Sequence, residues 1–205
     1  MWPLTRSKSK STARPTGSWK DHELWFVDGE MTGLDLKKDE LLHLVAMPMR
    51  EGRLYLSEMK QWLIQPQRPL GEGDAVCHHH ITPRLLRDAV SVDRFATEVE
   101  QVLRGKVVVG HHVGIDLSFI SKLARFENYS LDTAKLFRSH QTKTQPHFPP
   151  EHLELLRVAE SLEVPAWPSH FALNDVLTCA NCFLKMAHEL EVMGINDIEQ
   201  LLKLG

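Results

Sequence analysis

A short apolar run, Leu24-Trp25-Phe26-Val27, ends directly on Asp28-Gly29-Glu30-Met31-Thr32-Gly33, and this junction constrains the fold more than any other stretch. Four consecutive apolar residues, two of them aromatic, read as a strand buried on both faces. Residues i and i+2 of a strand point to the same side. Asp28 and Glu30 therefore share one face at the end of that strand, where a Thr-Gly turn closes it. A strand covered on both sides needs further layers, and the downstream pattern supplies them.

Leu41–Arg50 and residues 53–64 read as two more strands joined by an Glu51-Gly52 hairpin turn, which predicts a three-stranded antiparallel meander. Residues 65–80 carry two prolines and two glycines and read as a loop. Thr82-Pro83 opens a short helix reaching about Asp88. Ser91 N-caps a longer one, with Phe95, Val99, Val102 and Leu103 at helical spacing and Gly105 as its stop. Residues 106–110 form a buried strand, a helix follows over about 115–127, and residues 130–133 form a last short strand. Residues 140–150 read as a polar loop, and helices are expected near 151–162, 171–192 and 196–204. A meander followed by strand and helix alternation predicts an α/β domain with a mixed five-stranded sheet, three antiparallel strands plus parallel ones, flanked by helices.

The net charge of −3 hides an asymmetry. Residues 1–20 hold Arg6, Lys8, Lys10, Arg14 and Lys20 with no acidic residue and no apolar periodicity, so they read as a disordered basic tail ahead of a domain at 21–205. The domain keeps 19 basic against 27 acidic side chains, which excludes a broad nucleic-acid-binding surface. A pocket of carboxylates holding divalent cations is compatible with that balance, because bound ions reverse the local field toward phosphate. No apolar stretch approaches the roughly 20 residues that span a bilayer, there is no secretory signal, and three cysteines offer no disulfide framework. A cytoplasmic chain without membrane contact is expected.

Two carboxylates at one strand end repel each other and resist ionising unless divalent cations compensate them, and oxygen donors favour magnesium or manganese. D-x-E alone is common, whereas D-x-E-x-T-G arises by chance about 0.003 times in a chain of this length. A second stretch, Val107-Val108-Val109-Gly110-His111-His112-Val113-Gly114-Ile115-Asp116, places an Asp at the opening of a helix after an apolar strand. A third, His170-Phe171-Ala172-Leu173-Asn174-Asp175, sets a His five residues before an Asp at the start of the long helix. That spacing is weak by itself, and His111 with Asp116 satisfies it too. Order and context separate the two pairs.

Together these stretches resemble the three motifs of the DEDDh (DnaQ-like) 3'-5' exonuclease family, most closely its bacterial proofreading epsilon-subunit type, over about residues 24–190. The resemblance implies an RNase H-like fold in which Asp28, Glu30, Asp116 and Asp175 hold two divalent cations, Mg2+ or Mn2+, and His170 is the general base. It further implies that Met31, Thr32, Gly33, Leu34 and His112 line the substrate site. The chain departs from the family with His112 in place of Asn, Ile115 in place of an aromatic and His80 in place of Gly. The implied substrate is a single-stranded 3' end, DNA first, releasing 5'-mononucleotides, with a DNA polymerase as a possible partner. The alternative is RNA trimming, since Asp28-Gly29-Glu30-Met31-Thr32-Gly33-Leu34-Asp35 is very similar to the opening motif of oligoribonuclease. An alternative of another class is a non-catalytic adaptor for nucleic acid or a polymerase. Cys77-His78-His79-His80 offers a weak zinc reading, and Cys179 with Cys182 reads as helix core.

Overall fold

A computed structural model of the chain describes residues 14–70, 81–82, 84–144 and 152–205. Residues 1–13 of the expected tail, the Cys77–His80 cluster, Pro83 and residues 145–150 of the expected polar loop lie outside them. The strands are β1 (Leu24–Met31), β2 (Leu41–Arg50), β3 (Arg53–Leu54), β4 (Lys60–Leu63), β5 (Val107–Gly110) and β6 (Tyr129–Asp132). The helices are α1 (Val92–Leu103), α2 (Gly114–Leu123), α3 (Thr133–Thr144), α4 (Leu155–Ser161), α5 (Ala172–Val192) and α6 (Ile198–Leu204). β1 pairs antiparallel with β2 and parallel with β5, β6 extends the parallel side, and β3 and β4 both pair with β2.

The predicted alternation holds along β1. Leu24 and Phe26 enter a core beneath α5, with Met47, Val109 and Phe183, whereas Trp25 and Val27 enter a second core beneath α1 and α2, with Phe95 and Phe119. The sheet is thus sandwiched between helical layers. Asp28 and Glu30 inherit the α5 side and Gly29 the α2 side. All three lie where the parallel and antiparallel halves of the sheet meet, the position at which open α/β sheets expose the carboxyl ends of their strands.

The sheet has six strands where the sequence pattern predicts five, because the expected strand 53–64 is split. Tyr55 donates its amide to the Pro48 carbonyl at 2.9 Å, and Pro48 has no N–H to return on that edge. The ladder breaks there, Leu56–Glu58 turns as a 3-10 helix, and pairing resumes at Lys60 opposite Ala46.

Two further expectations are corrected. The segment after β6 is helical over Thr133–Thr144 rather than partly loop, capped by Asp132, whose Oδ1 accepts the Ala134 amide at 3.0 Å. Its buried face runs through Leu136 and Phe137 to His140 and Gln141, so the last turn shows no apolar signal. His140 meets Glu189 of α5 instead. The tail boundary also shifts, since residues 14–20 belong to the described domain. Trp19 is 2% exposed and lies edge-on to Phe183 at 5.4 Å. Its amide bonds to the Asn196 carbonyl, Ile198 N–H bonds back to Gly17, and Lys20 pairs with Glu191.

A residue in a solvated tail tolerates truncation, whereas Trp19 fills the core beneath α5. Trp19→Ala should destabilise the fold by about 3–5 kcal/mol, read from urea unfolding midpoints. A change below about 0.5 kcal/mol would return this residue to the tail.

Candidate active site

β1 supplies Asp28 and Glu30, and the first turn of α5 supplies Asp175. Ligand oxygens from these three lie within 4.8 Å of one another. Asp116, in the first turn of α2, approaches from the face toward which a residue-29 side chain would point. Its Oδ1 sits 3.1 Å from where a Cβ on Gly29 would be, and Leu41 Cδ1 at 2.9 Å. A larger residue would crowd both side chains, and the Gly29 amide donates to the Asp116 carboxylate. D-x-E thus has glycine between its carboxylates for a physical reason: one face of the strand holds Asp28 and Glu30, the other must admit Asp116.

Burial dominates the electrostatics. It lifts Asp28 well above the usual carboxylate range, with the charges of Asp116, Asp175 and Glu30 adding to the effect. Glu30 is pushed up to about 7 by burial and by Asp175, although the Ala172 amide offsets part of this. Asp116 rises to about 8, again by burial, against hydrogen bonds from its own amide and that of Gly29. Asp175 is raised by burial, moderated by the His170 amide, which donates to Oδ2 at 3.0 Å. Two helix N-termini therefore aim their amides at the cluster, the favourable orientation for negative charge. They do not complete it: among the described residues, Glu30 Oε1 and Asp175 Oδ1 are buried without a hydrogen-bond partner. Four carboxylates, mutually repelling and partly unsatisfied, form a donor set that fits hard divalent cations such as Mg2+ or Mn2+.

His170 stands beside this cluster. It is exposed and takes a left-handed backbone, φ 65°, one residue ahead of Phe171 at the N-cap of α5. His111, which matches the same five-residue spacing to an Asp, is half-buried. Its ring nitrogens meet Thr133 Oγ1 at 3.0 Å and the Leu153 carbonyl, so both are already engaged away from the cluster. Tertiary structure separates what spacing does not.

The expected substrate-lining residues divide. Leu34 is 73% exposed beyond the Thr-Gly turn, and Met31 packs half-buried at the end of β1. Thr32 is buried, its hydroxyl donating to Asp39 Oδ1 at 3.0 Å and accepting from the Glu40 amide at 3.1 Å. A Cβ on Gly33 would meet the Asp39 carboxylate at 2.5 Å. Thr32 and Gly33 thus hold the turn closed over Asp39. His112 is exposed at φ 56°, its amide donating to Asp132 Oδ1 at 3.0 Å. Asp132 and Asp39 carry no site role in the sequence pattern, yet one fixes the turn leading to Asp116 and the other the turn after Glu30. Asp132 did have a signal, since an Asp between a strand and a helical run is an N-cap.

The RNase_T family model, described as Exonuclease, matches residues 25–183. Among curated relatives, the chain is 26% identical over 184 residues to "DNA polymerase III PolC-type" of Caldanaerobacter subterraneus subsp. tengcongensis, covering 87% of this chain and 12% of that one. It is 26% identical over 188 residues to "DNA polymerase III subunit epsilon-like protein" of Rhodobacter capsulatus, covering 88% of this chain and 26% of that one. The chain therefore spans about an eighth to a quarter of the length of these relatives. Among solved structures, it superposes on "Exonuclease X in complex with 5' overhanging duplex DNA" with a TM-score of 0.66 and 18% identity, over 88% of this chain and 98% of that one. The backbone is accordingly the RNase H-like arrangement that the sequence motifs imply.

The raised carboxylates tie stability to pH and cation. A carboxyl whose folded pKa exceeds its unfolded value contributes stability below the unfolded value and loses it as pH rises through the folded one. For Glu30 that window runs from 4.5 to about 7, and for Asp116 from 3.8 to about 8. His43 and His111, both lowered by burial, act in the opposite sense, so the useful reference is Glu30→Gln, which keeps them. Metal-free wild type should lose thermal stability relative to Glu30→Gln as pH rises from about 5 to about 8. Magnesium or manganese should restore it more in wild type than in the variant. Parallel pH profiles with and without cation would dissociate the cluster from metal binding.

Proposed function

The chain belongs to the RNase_T exonuclease family, and from that membership we propose that it is a metal-dependent 3'-5' exonuclease acting on single-stranded 3' ends, releasing 5'-mononucleotides. The observation that carries the reading is the convergence of Asp28, Glu30 and Asp175 oxygens within 4.8 Å, with Asp116 beside them and, among the described residues, no hydrogen-bond partner for Glu30 Oε1 or Asp175 Oδ1. A non-catalytic adaptor has no need of so costly a cluster. The catalytic unit comprises the described domain, with the basic residues ahead of it as an extension.

Asp28, Glu30, Asp116 and Asp175 hold two divalent cations in this proposal. Such ions would supply charge neutralisation at the scissile phosphate and would lower the pKa of a water so that it can lose a proton and become the nucleophile. The protein's own part is positional. Gly29 lets Asp116 reach the cluster, and the amides of Ala172 and His170 orient Glu30 and Asp175. His170, exposed at the rim, accepts the proton of the attacking water. Leu34, Met31 and His112 line the approach of the terminal nucleotide, and Thr32 and Gly33 shape the turn that presents Leu34.

DNA is the substrate favoured here, supported by relatives whose names are those of DNA polymerase III components and by a similar fold solved with DNA. The same names support a polymerase as partner. The motif from Asp28 to Asp35 supports RNA trimming as the second reading. Cys179 and Cys182 are free buried thiols, in keeping with action in a reducing cytoplasm, and no helix among the described residues is long and apolar enough to cross a membrane.

Digestion of 5'-labelled and 3'-labelled DNA and RNA oligomers with magnesium or manganese tests all of this together. Single nucleotides should leave the 3' end, faster from DNA. Asp28→Ala should abolish release, and His170→Ala should lower kcat by about 10²–10⁴-fold. Faster loss from RNA would promote the second reading. No release from either polymer under both metals would favour the adaptor.

A further inference from the structure

A cavity of about 260 Å³ lies on the α1 and α2 side of the sheet, and no step of the proposed chemistry uses it. The buried side chains of Leu41, Ile64 and Phe119 form its apolar floor, and the exposed Lys37, Lys38 and Lys122 stand at its mouth. Its size sits just below the roughly 300–1,000 Å³ of small-molecule sites. It suits a ligand of one nucleotide's bulk and excludes a strand.

Charge at the mouth is not cancelled locally. Lys122 Nζ donates to the Asp39 backbone carbonyl at 2.7 Å, an acceptor without formal charge, and Lys38 pairs with Asp35 at 3.4 Å. Among the described residues, neither Lys37 nor Lys122 forms an ion pair. The two acidic residues of the lining are engaged elsewhere. Asp39 accepts the Thr32 hydroxyl and the Asp35 amide, and Glu40 accepts the Gln67 amide at 2.8 Å. In a domain with 27 acidic against 19 basic side chains, two unpaired ammonium groups beside an apolar cavity match an anion with an apolar body. Lys122 Nζ lies 5.3 Å from the centre of the Phe119 ring, so one small ligand reaches both the charge and the floor.

The cavity also shares a wall with the carboxylate cluster. Leu41 Cδ1 lies 2.9 Å from where a Cβ on Gly29 would be, beside Asp116 Oδ1 at 3.1 Å. Phe119 follows Asp116 by three residues, on one face of α2. An occupant pressing on Leu41 and Phe119 bears on the placement of Asp116, because close-packed side chains transmit displacement rather than absorb it. We propose that this cavity is a regulatory site for a nucleoside 5'-monophosphate. Its phosphate meets Lys37 and Lys122, its nucleoside lies on the apolar floor, and its binding opposes metal binding through Leu41 and Asp116. This rests on the exonuclease reading, since such a nucleotide is the product which that reading releases.

The test titrates deoxyadenosine 5'-monophosphate calorimetrically into the full chain without metal, where the carboxylates alone repel a phosphate. Wild type and Asp28→Ala should each bind one nucleotide with similar affinity. The double variant Lys37→Met with Lys122→Met, which keeps the apolar stems, should bind about tenfold more weakly or worse. Inorganic phosphate and deoxyadenosine should each bind wild type about tenfold more weakly than the nucleotide does. In digestion of single-stranded DNA with magnesium, added nucleotide should lower kcat in wild type but not in the double variant, whose basal kcat should match wild type. No metal-free binding, equal binding by the double variant, phosphate binding as tightly as nucleotide, or inhibition that only raises KM would each overturn the regulatory site. Wild type that releases no nucleotide from either DNA or RNA overturns the exonuclease reading, while the metal-free titration still decides the cavity.

Discussion

Electrostatic repulsion among buried carboxylates is the constraint around which this domain is arranged. β1 has one core on each face, so its end cannot simply be solvated, yet it ends in Asp28 and Glu30 with Asp175 and Asp116 brought against them. Burial alone pushes these groups toward their neutral forms. The fold answers with backbone amides: Gly29 and the first turn of α2 serve Asp116, while Ala172 and His170 serve Glu30 and Asp175. Those bonds fix where the two helices must start. What they leave unsatisfied is what a divalent cation supplies.

The same logic explains the turns around the site. Asp39 draws the loop after Glu30 closed through Thr32, and Asp132 both caps α3 and holds His112 in its left-handed turn. Neither carboxylate belongs to the cluster, but each sets the path of a segment that carries one of its members. A fold shared with an exonuclease at 18% identity shows how much sequence change such a backbone accommodates. The layer most open to change is the rim, where Leu34, His112, Trp167 and Phe171 face solvent rather than the core.

Where local pattern failed, it failed for identifiable reasons. The third meander strand reads as continuous because the cause of its break lies in its neighbour, at Pro48, whose missing N–H removes a ladder bond. The last turn of α3 was hidden because its buried positions are His140 and Gln141 rather than apolar residues, and His140 is acceptable there only because Glu189 of α5 lies opposite. Trp19 sits in a basic, serine-rich stretch, and its burial depends on Phe183 and the backbone near Asn196, more than 160 residues away in sequence. In each case the deciding partner is distant along the chain.

The sequence by itself determined the strand that ends in Asp28 and Glu30, the long helix that opens near Asp175, the mixed α/β class and the family, because strand period, helix spacing and motif order are local properties of the chain. Only the tertiary structure decided that His170 is exposed at the rim while the half-buried His111 has both ring nitrogens engaged by Thr133 and Leu153. It likewise decided that three carboxylates converge and that Gly29 makes room for the fourth. Burial, repulsion and hydrogen-bond satisfaction depend on neighbours brought together by folding, and no spacing along one chain specifies them.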